Sequence, residues 1–355
     1  MTMKITALYV YPIKALRGIA LESAQIGTHG VKYDRSFMLY EVRPTGELKK
    51  MQLDSHPKCA LFEQRIVPGP VEGQSMVVVR YHSDVPGIYD GSEAELNIPL
   101  EPEVASLEKI NVDLHGSPAS AYRMGDSYDA WLSQRFGCSA MLVYIGDGKR
   151  AVLGKSLLPS NGVEERQQNG WISSLSSYIT GPQQPSADKS TPWLTFTDVA
   201  PLLVTSEPSL QDVCARLPDS EPVGMYKFRP NIVVDGEGEA AWAEDFWAEL
   251  AIHSNQDGAG NQKHTLLLTG NCVRCTSLNV DYQTGKPATG ELGNVLKKLM
   301  KDRRVDQGMK WSPVFGRYAF PDGGHDGEGF TLSVGDAVEV TRRNAERSVW
   351  DWPNV

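Results

Sequence analysis

Short runs of β-branched and aromatic residues, each bounded by Gly, Pro or Asp clusters, recur through the first hundred residues and restrict the chain to a strand-rich architecture. Residues 5–10, 36–42, 61–67 and 76–81 read as strands. Several short strands at such spacing build a barrel or a sandwich. One helix is expected next: in G-D-S-Y-D-A-W-L-S-Q-R-F-G, Tyr128, Trp131, Leu132 and Phe136 share a face, with Asp126 or Ser127 as the cap. Residues 141–145 return to strand.

Residues 154–191 change character, being polar, Gly- and Pro-containing and without periodicity. They read as a long loop, either a lid or binding loop or plain disorder, and as the internal boundary. The spacing predicts strands at 201–205 and 231–234, a helix opened by Ser206 and Glu207 and running through Leu217, and an amphipathic helix over 291–304. That last helix would bury Leu292, Val295, Leu296, Leu299 and Met300 and expose Lys297, Lys298 and Lys301. Strands at 314–320 and 334–341 complete an α+β, β-rich chain. The division expected is 1–150, a polar segment at 151–192, and 193–355.

At 355 residues and 41% hydrophobic, the chain can bury a sizeable core. A net charge of −9 gives no general attraction to nucleic acid or anionic membranes, so basic residues that matter must act in a local pocket. No run of about 18 or more apolar residues suggests a transmembrane helix. The opening M-T-M-K-I-T-A-L-Y-V-Y-P enters a strand pattern directly and resembles neither a signal nor a transit peptide. Five cysteines do not read as a disulfide scaffold, and a reduced, cytoplasmic protein is expected. No G-x-G-x-x-G, Walker loop or G-x-S-x-G occurs.

The run T-G-N-C-V-R-C-T-S-L-N-V-D sets Cys275 beside Arg274, and a neighbouring guanidinium favours the thiolate that attacks electrophiles and binds soft metals. Cys272 and Cys275 are equally readable as small buried hydrophobes. A lone C-x-x-C is a poor zinc site. A thioredoxin-like dithiol would need a helix after it, whereas residues 277–280 alternate like a strand.

Six short motifs then occur in order: Y-P-I-K (11–14), Y-D-R-S-F (33–37), F-R-P-N-I (228–232), R-C-T (274–276), D-Y-Q-T-G (281–285) and F-G-R-Y (315–318). Together they resemble the MOSC family, in particular its members with an N-terminal MOSC β-barrel domain, which include the mitochondrial amidoxime reducing component and bacterial relatives. The resemblance implies a β-barrel-like N-terminal domain followed by a MOSC β-barrel with peripheral helices. It also implies a mononuclear molybdenum enzyme whose metal sits on a pterin dithiolene, the molybdenum cofactor (Mo-molybdopterin), with one protein thiolate as a further ligand.

By the resemblance that ligand is Cys275, and Cys272 has no assigned role. A soft thiolate suits a metal already bound by sulfur. The motifs place Lys14, Arg35, Arg229, Asn231, Val273, Arg274 and Tyr318 at the cofactor, where a protein of net charge −9 must concentrate cations to hold a phosphate. Taken singly, Arg229 reads equally as a solvated loop charge and Asp34–Arg35 as a surface pair. The sequence departs from the family in two places. Ala15 stands where a small hydroxyl residue is usual, and Val199 and Ala200 stand where Thr or Ser precedes the proline of F-T-D-V-A-P. Backbone N–H groups there, with Thr197 nearby, remain available, and Asp198 fits the pattern.

The activity implied is reduction of small N-oxygenated substrates, namely amidoximes, hydroxylamines and N-oxides, by oxygen-atom transfer. The chain shows no Cys-rich iron–sulfur module, so cytochrome b5 with its reductase, or a ferredoxin-type reductase, is the implied donor. No membrane anchor is expected. The alternative is a cofactor-binding or sulfur-carrier protein that uses Cys275, since MOSC domains also end the molybdenum cofactor sulfurases.

Overall fold

The computed structural model describes residues 2–82, 95–159, 192–218, 222–256, 260–322 and 329–353. Most of the 154–191 segment lies outside them, and so do the readings made of it.

Seven strands close a barrel: Ile232–Val234, Leu202–Ser206, Val314–Pro321, Gly260–Val273, Trp247–Gln256, Ala337–Arg343 and Met3–Val10, with Met3–Val10 returning to Ile232–Val234. Only the pairing of Leu202–Ser206 with Ile232–Val234 is parallel; the others are antiparallel. The first strand shows how local sequence serves the closure. Met3 and Ile5 face the barrel core, then Leu8 and Val10 do. A strict alternation cannot bury both pairs, because the side-chain period is two. The register shifts between Ile5 and Ala7, and that bulge resets the phase. The motif-bearing first strand is therefore a stave of the C-terminal barrel, and a division of the chain at residue 150 leaves it on the N-terminal side.

The N-terminal half supplies a five-stranded antiparallel sheet in the order Glu108–Leu114, Ser117–Arg123, Ala140–Tyr144, Phe37–Val42, Leu48–Lys50. A three-stranded sheet, Phe62–Pro68, Ser75–Tyr81 and Glu95–Pro99, faces it. Their shared core holds Phe37, Leu39, Phe62, Val77, Val79, Ile98 and Leu142, with Leu132 and Phe136 from the helix Asp126–Phe136. The strands expected here form where the alternation put them.

Three local expectations change. The helix Asp126–Phe136 is capped by Gly125, and Asp126 is spent on an ion pair with Arg123 instead. The helix opened by Ser206 runs only Glu207–Cys214 before its last turn tightens. The helix expected over 291–304 shrinks to a 3-10 turn, Leu292–Asn294, followed by Val295–Leu299. Its apolar stripe is still buried, with Val295 and Leu299 in one core cluster. The chain beyond turns away because Arg303 is drawn into a buried ion pair with Asp245 at 2.7 Å, its carbonyl accepts the Val314 N–H and its Nε donates to the Val314 carbonyl.

Candidate functional site

Where the barrel meets the N-terminal half, a pocket enclosing about 830 Å³, part of it open to solvent, collects nearly every residue singled out by the motifs. Its lining includes Lys14, Ala15, Arg35, Asp198, Ala200, Arg229, Asn231, Val273, Arg274, Cys275 and Tyr318. Val199 is the exception: it is buried in an apolar cluster with Leu203, Cys272 and Tyr318 and does not line the pocket.

The backbone is bent to make this wall. Ala15, Arg35 and Arg229 all take left-handed conformations, with φ of 72°, 47° and 55°. Such conformations cost non-glycine residues on the order of 1–3 kcal/mol each and cluster at functional sites. Backbone hydrogen bonds hold the two arginines there, from Arg35 N–H to the Tyr11 carbonyl and from Arg229 N–H to the Tyr226 carbonyl. Between them stands the buried Tyr11 ring, with the Arg35 guanidinium 4.2 Å from its centroid and that of Arg229 4.4 Å away. Stacking on both faces fixes the two cations. The expected surface pair Asp34–Arg35 is in fact buried at Asp34.

The guanidinium groups are satisfied largely by carbonyls. Arg35 donates to the Arg229 carbonyl at 3.1 Å and to Asn231 Oδ1 at 3.2 Å. Arg229 donates through Nη1 to the Leu16 carbonyl at 2.8 Å, while its Nη2 is buried with no partner among the described residues. Thr197 Oγ1 is buried and unpartnered in the same way. Unsatisfied buried donors are rare and costly, and both of these residues line the pocket.

Lys14, buried, pairs with Asp198. Burial lowers its pKa to about 8, against the pull of Asp198. Burial also opposes the charge on Asp198, but Lys14 and then His115 outweigh it and hold the carboxyl well below its usual range. The Asp198 side chain is 49% exposed into the cleft, so solvent screens the pair. His115, whose Nε2 lies 3.3 Å from Asp198, was not singled out by sequence. Nor was Arg150, fully buried, which gathers the carbonyls of Thr195, Thr197, Asp198, Leu114 and Ser117 and so fixes the 195–198 loop beside the 114–117 turn.

The cysteines part company. In an extended strand alternate residues share a face, so Arg274 sits with Cys272, not with Cys275. Its Nη1 donates to Cys272 Sγ at 2.8 Å and its Nη2 to the Phe228 carbonyl at 2.7 Å. Arg274 thus hydrogen-bonds Cys272 and reaches the adjacent Cys275 through its charge alone. Cys272 is buried, and burial pushes its thiol up despite Arg274. Burial, then Cys272, raises the Tyr318 phenol well above its usual range. Cys275 is exposed, its Sγ 3.1 Å from Ser277 Oγ. After it the chain forms a 3-10 turn, Thr276–Asn279, where a strand was expected. The cause is tertiary: Leu278 is buried in the core, and Asn279 Oδ1 accepts the Leu296 N–H. Gln52, Leu53 and Asp54, on a loop of the N-terminal half, complete the lining and carried no sequence signal.

A closed barrel with a strained, cation-rich pocket and an exposed thiol in the pocket lining is the class of fold and site this chain presents. Comparison with known proteins gives this class its family. The MOSC N-terminal beta barrel domain matches residues 2–139 and the MOSC domain matches residues 191–339. The chain belongs to the MOSC family, with both of these domains. It is similar to the mitochondrial amidoxime-reducing component 1 of Mus musculus, 24% identical over 94% of this chain and 81% of that protein. The Homo sapiens protein of that name is 34% identical over a shorter stretch, 41% of this chain and 38% of the relative. The molybdenum cofactor sulfurase of Oryza sativa is 23% identical over 79% of this chain but only 29% of its own length. Among the described residues no helix is long and apolar enough to cross a membrane.

Proposed function

We propose that this chain is a molybdenum cofactor-dependent reductase of N-hydroxylated compounds, with Cys275 as the protein ligand of the metal. The observation that carries this reading is the buried, unpartnered Nη2 of Arg229, beside a second orphan at Thr197 Oγ1, in a pocket that ends at an exposed thiol. The donor set fits the group. Among the described residues Arg229 and Arg274 have no carboxylate partner, so both offer uncompensated charge to a phosphate or to pterin acceptors. Lys14, Arg35 and Asn231 add donors, and the Asp198 carboxylate is an acceptor for pterin N–H groups.

When bound, the cofactor supplies two-electron oxygen-atom transfer from an N–O bond. The chain's own residues bind and orient it. Cys275, on the accessible lip, offers a soft ligand. Val273 and Tyr318 line the wall beside it, and the rigid barrel strand ends keep the reacting face in register. Lys14 and His115, either side of Asp198, are groups that hold protons close to the pocket mouth. The electrons come from an external donor, cytochrome b5 with its reductase or a ferredoxin-type reductase, and the protein works in the cytoplasm. The test is the metal and pterin content of the purified protein, followed by reduction of a simple amidoxime with a dye donor. Full loading with no N-reduction of any N-oxygenated compound would reject the reductase reading.

The sulfurase relatives, which match most of this chain, favour one second reading: a cofactor-binding or sulfur-carrier protein using Cys275. Persulfide on Cys275 that transfers to an acceptor, without amidoxime turnover, would select it.

A further inference from the structure

Away from the pocket, three segments of the N-terminal half converge on one spot. Glu41 lies on the strand Phe37–Val42, His56 precedes the 3-10 turn Pro57–Leu61, and Cys138 follows the helix Asp126–Phe136. One ligand atom from each lies within 4.8 Å of the other two, and all three side chains are half-buried. Ligand atoms around a tetrahedral zinc-class ion stand about 3.4–3.8 Å apart, given bond lengths near 2.0–2.3 Å. Contraction by about an ångström would therefore seat an ion.

Imidazole orientation is the second observation. His56 Nε2 faces Glu41 Oε2 at 3.1 Å, while Nδ1 lies 3.0 Å from Ser55 Oγ. A histidine ligand is commonly held in this way, with its other nitrogen hydrogen-bonded so that the coordinating one is fixed. Charges around the spot are mixed: Lys49 contacts Glu41 at 3.6 Å, Lys58 acts on Cys138 and Asp54 on His56. An incoming cation would displace the partly exposed Lys49 ammonium from Glu41.

We propose that Glu41, His56 and Cys138 form a site for a zinc-class divalent ion, independent of the pocket chemistry. Three protein ligands leave a fourth position for water. The ion's role is structural, because His56 N–H donates to the Gln52 carbonyl at 2.6 Å, and Gln52, Leu53 and Asp54 line the pocket. Holding His56 holds that loop.

The experiment uses the full chain carrying Cys272→Ser and Cys275→Ser, so that the pocket thiols cannot contribute, reduced and freed of metal with a chelator. Cobalt(II) is the probe. The expected result is one ion per chain with a sulfur-to-cobalt charge-transfer band, displaced by zinc, and a melting temperature that rises with zinc. Adding Cys138→Ser should abolish the band, and His56→Gln should weaken binding by at least about tenfold. Circular dichroism checks that each variant is folded, and zinc should no longer raise their melting temperatures. The absence of a band in the parent, or a band and melting shift that survive Cys138→Ser in a folded protein, would overturn the proposal.

Discussion

On one side of the pocket Lys14 is buried against Asp198, and Arg35, Arg229 and Arg274 are mostly buried, stacked on Tyr11 or bonded to backbone carbonyls, with Arg35 and Arg229 on a strained main chain. On the other side Cys275 stands exposed with one hydroxyl neighbour, on unstrained extended backbone with φ −118°. Both walls line one cavity, yet they are built on opposite terms. The cationic wall is largely held before any ligand arrives: Asp34 pairs with Arg35, carbonyls accept from Arg229 and Arg274 without cancelling their charge, and of these two only Arg229 Nη2 is buried without a partner among the described residues. The thiol lip carries almost no structural burden. On the proposed function, what is rigid recognises the cofactor and what is accessible coordinates its metal. Substitutions should separate the two: the lip should alter chemistry without altering the fold, and the wall should alter retention.

The largest effect tests the lip. Cys275→Ala should abolish amidoxime reduction while the melting temperature stays put, because an exposed thiol with a single hydroxyl contact contributes little to stability. Turnover near the wild-type rate would end the ligand assignment. Next comes the wall: Arg229→Glu removes a charge-assisted hydrogen bond, a loss of about 1.5–3 kcal/mol, and sets a repelling charge in its place. Cofactor and molybdenum occupancy after gel filtration should fall by more than about tenfold, and full occupancy would make Arg229 a mere loop residue. Cys272→Ala, a wall substitution that takes the sulfur partner from Arg274, should leave most of the activity. An equal loss at both cysteines would favour a dithiol mechanism and erase the distinction between the walls.

The smallest effect is one of pH. Lys14 is charged below about 8 and loses that charge as pH rises through this value, so affinity for inorganic phosphate or for the cofactor should decline above it. Lys14→Met should flatten that slope in a binding titration. A slope unchanged in the variant would assign the titration elsewhere.

The strands and the site were legible in different ways. Alternation and turn residues marked Met3–Val10 and Phe37–Val42, but nothing in residues 3–10 says that their partners are 232–234 and 337–338. The pocket residues were found through motifs, and the departures at Ala15 and Val199 were read as missing hydroxyls. The left-handed backbone at Ala15 and the inward turn of Val199 could not be seen. Adjacency gave only part of the account at Arg274, where strand geometry sends the guanidinium to Cys272. Periodicity misled at 291–304, where the burial pattern holds but the buried Arg303–Asp245 pair ends the helix early. Gln52, Asp54, His115 and Arg150 act only through tertiary placement, and local sequence is silent about that.

The first strand's place in the last barrel also shapes how the protein must be made. Met3, Ile5, Leu8 and Val10 leave the ribosome long before the strand Ala337–Arg343 that flanks them. At about 5–20 residues per second, the segment waits on the order of tens of seconds with its apolar face unmatched. The five-stranded and three-stranded sheets can condense in the meantime, since all their strands lie within residues 37–144. Completion of the barrel is thus a late event on which pocket assembly depends, because Lys14 and Ala15 follow directly on that waiting strand.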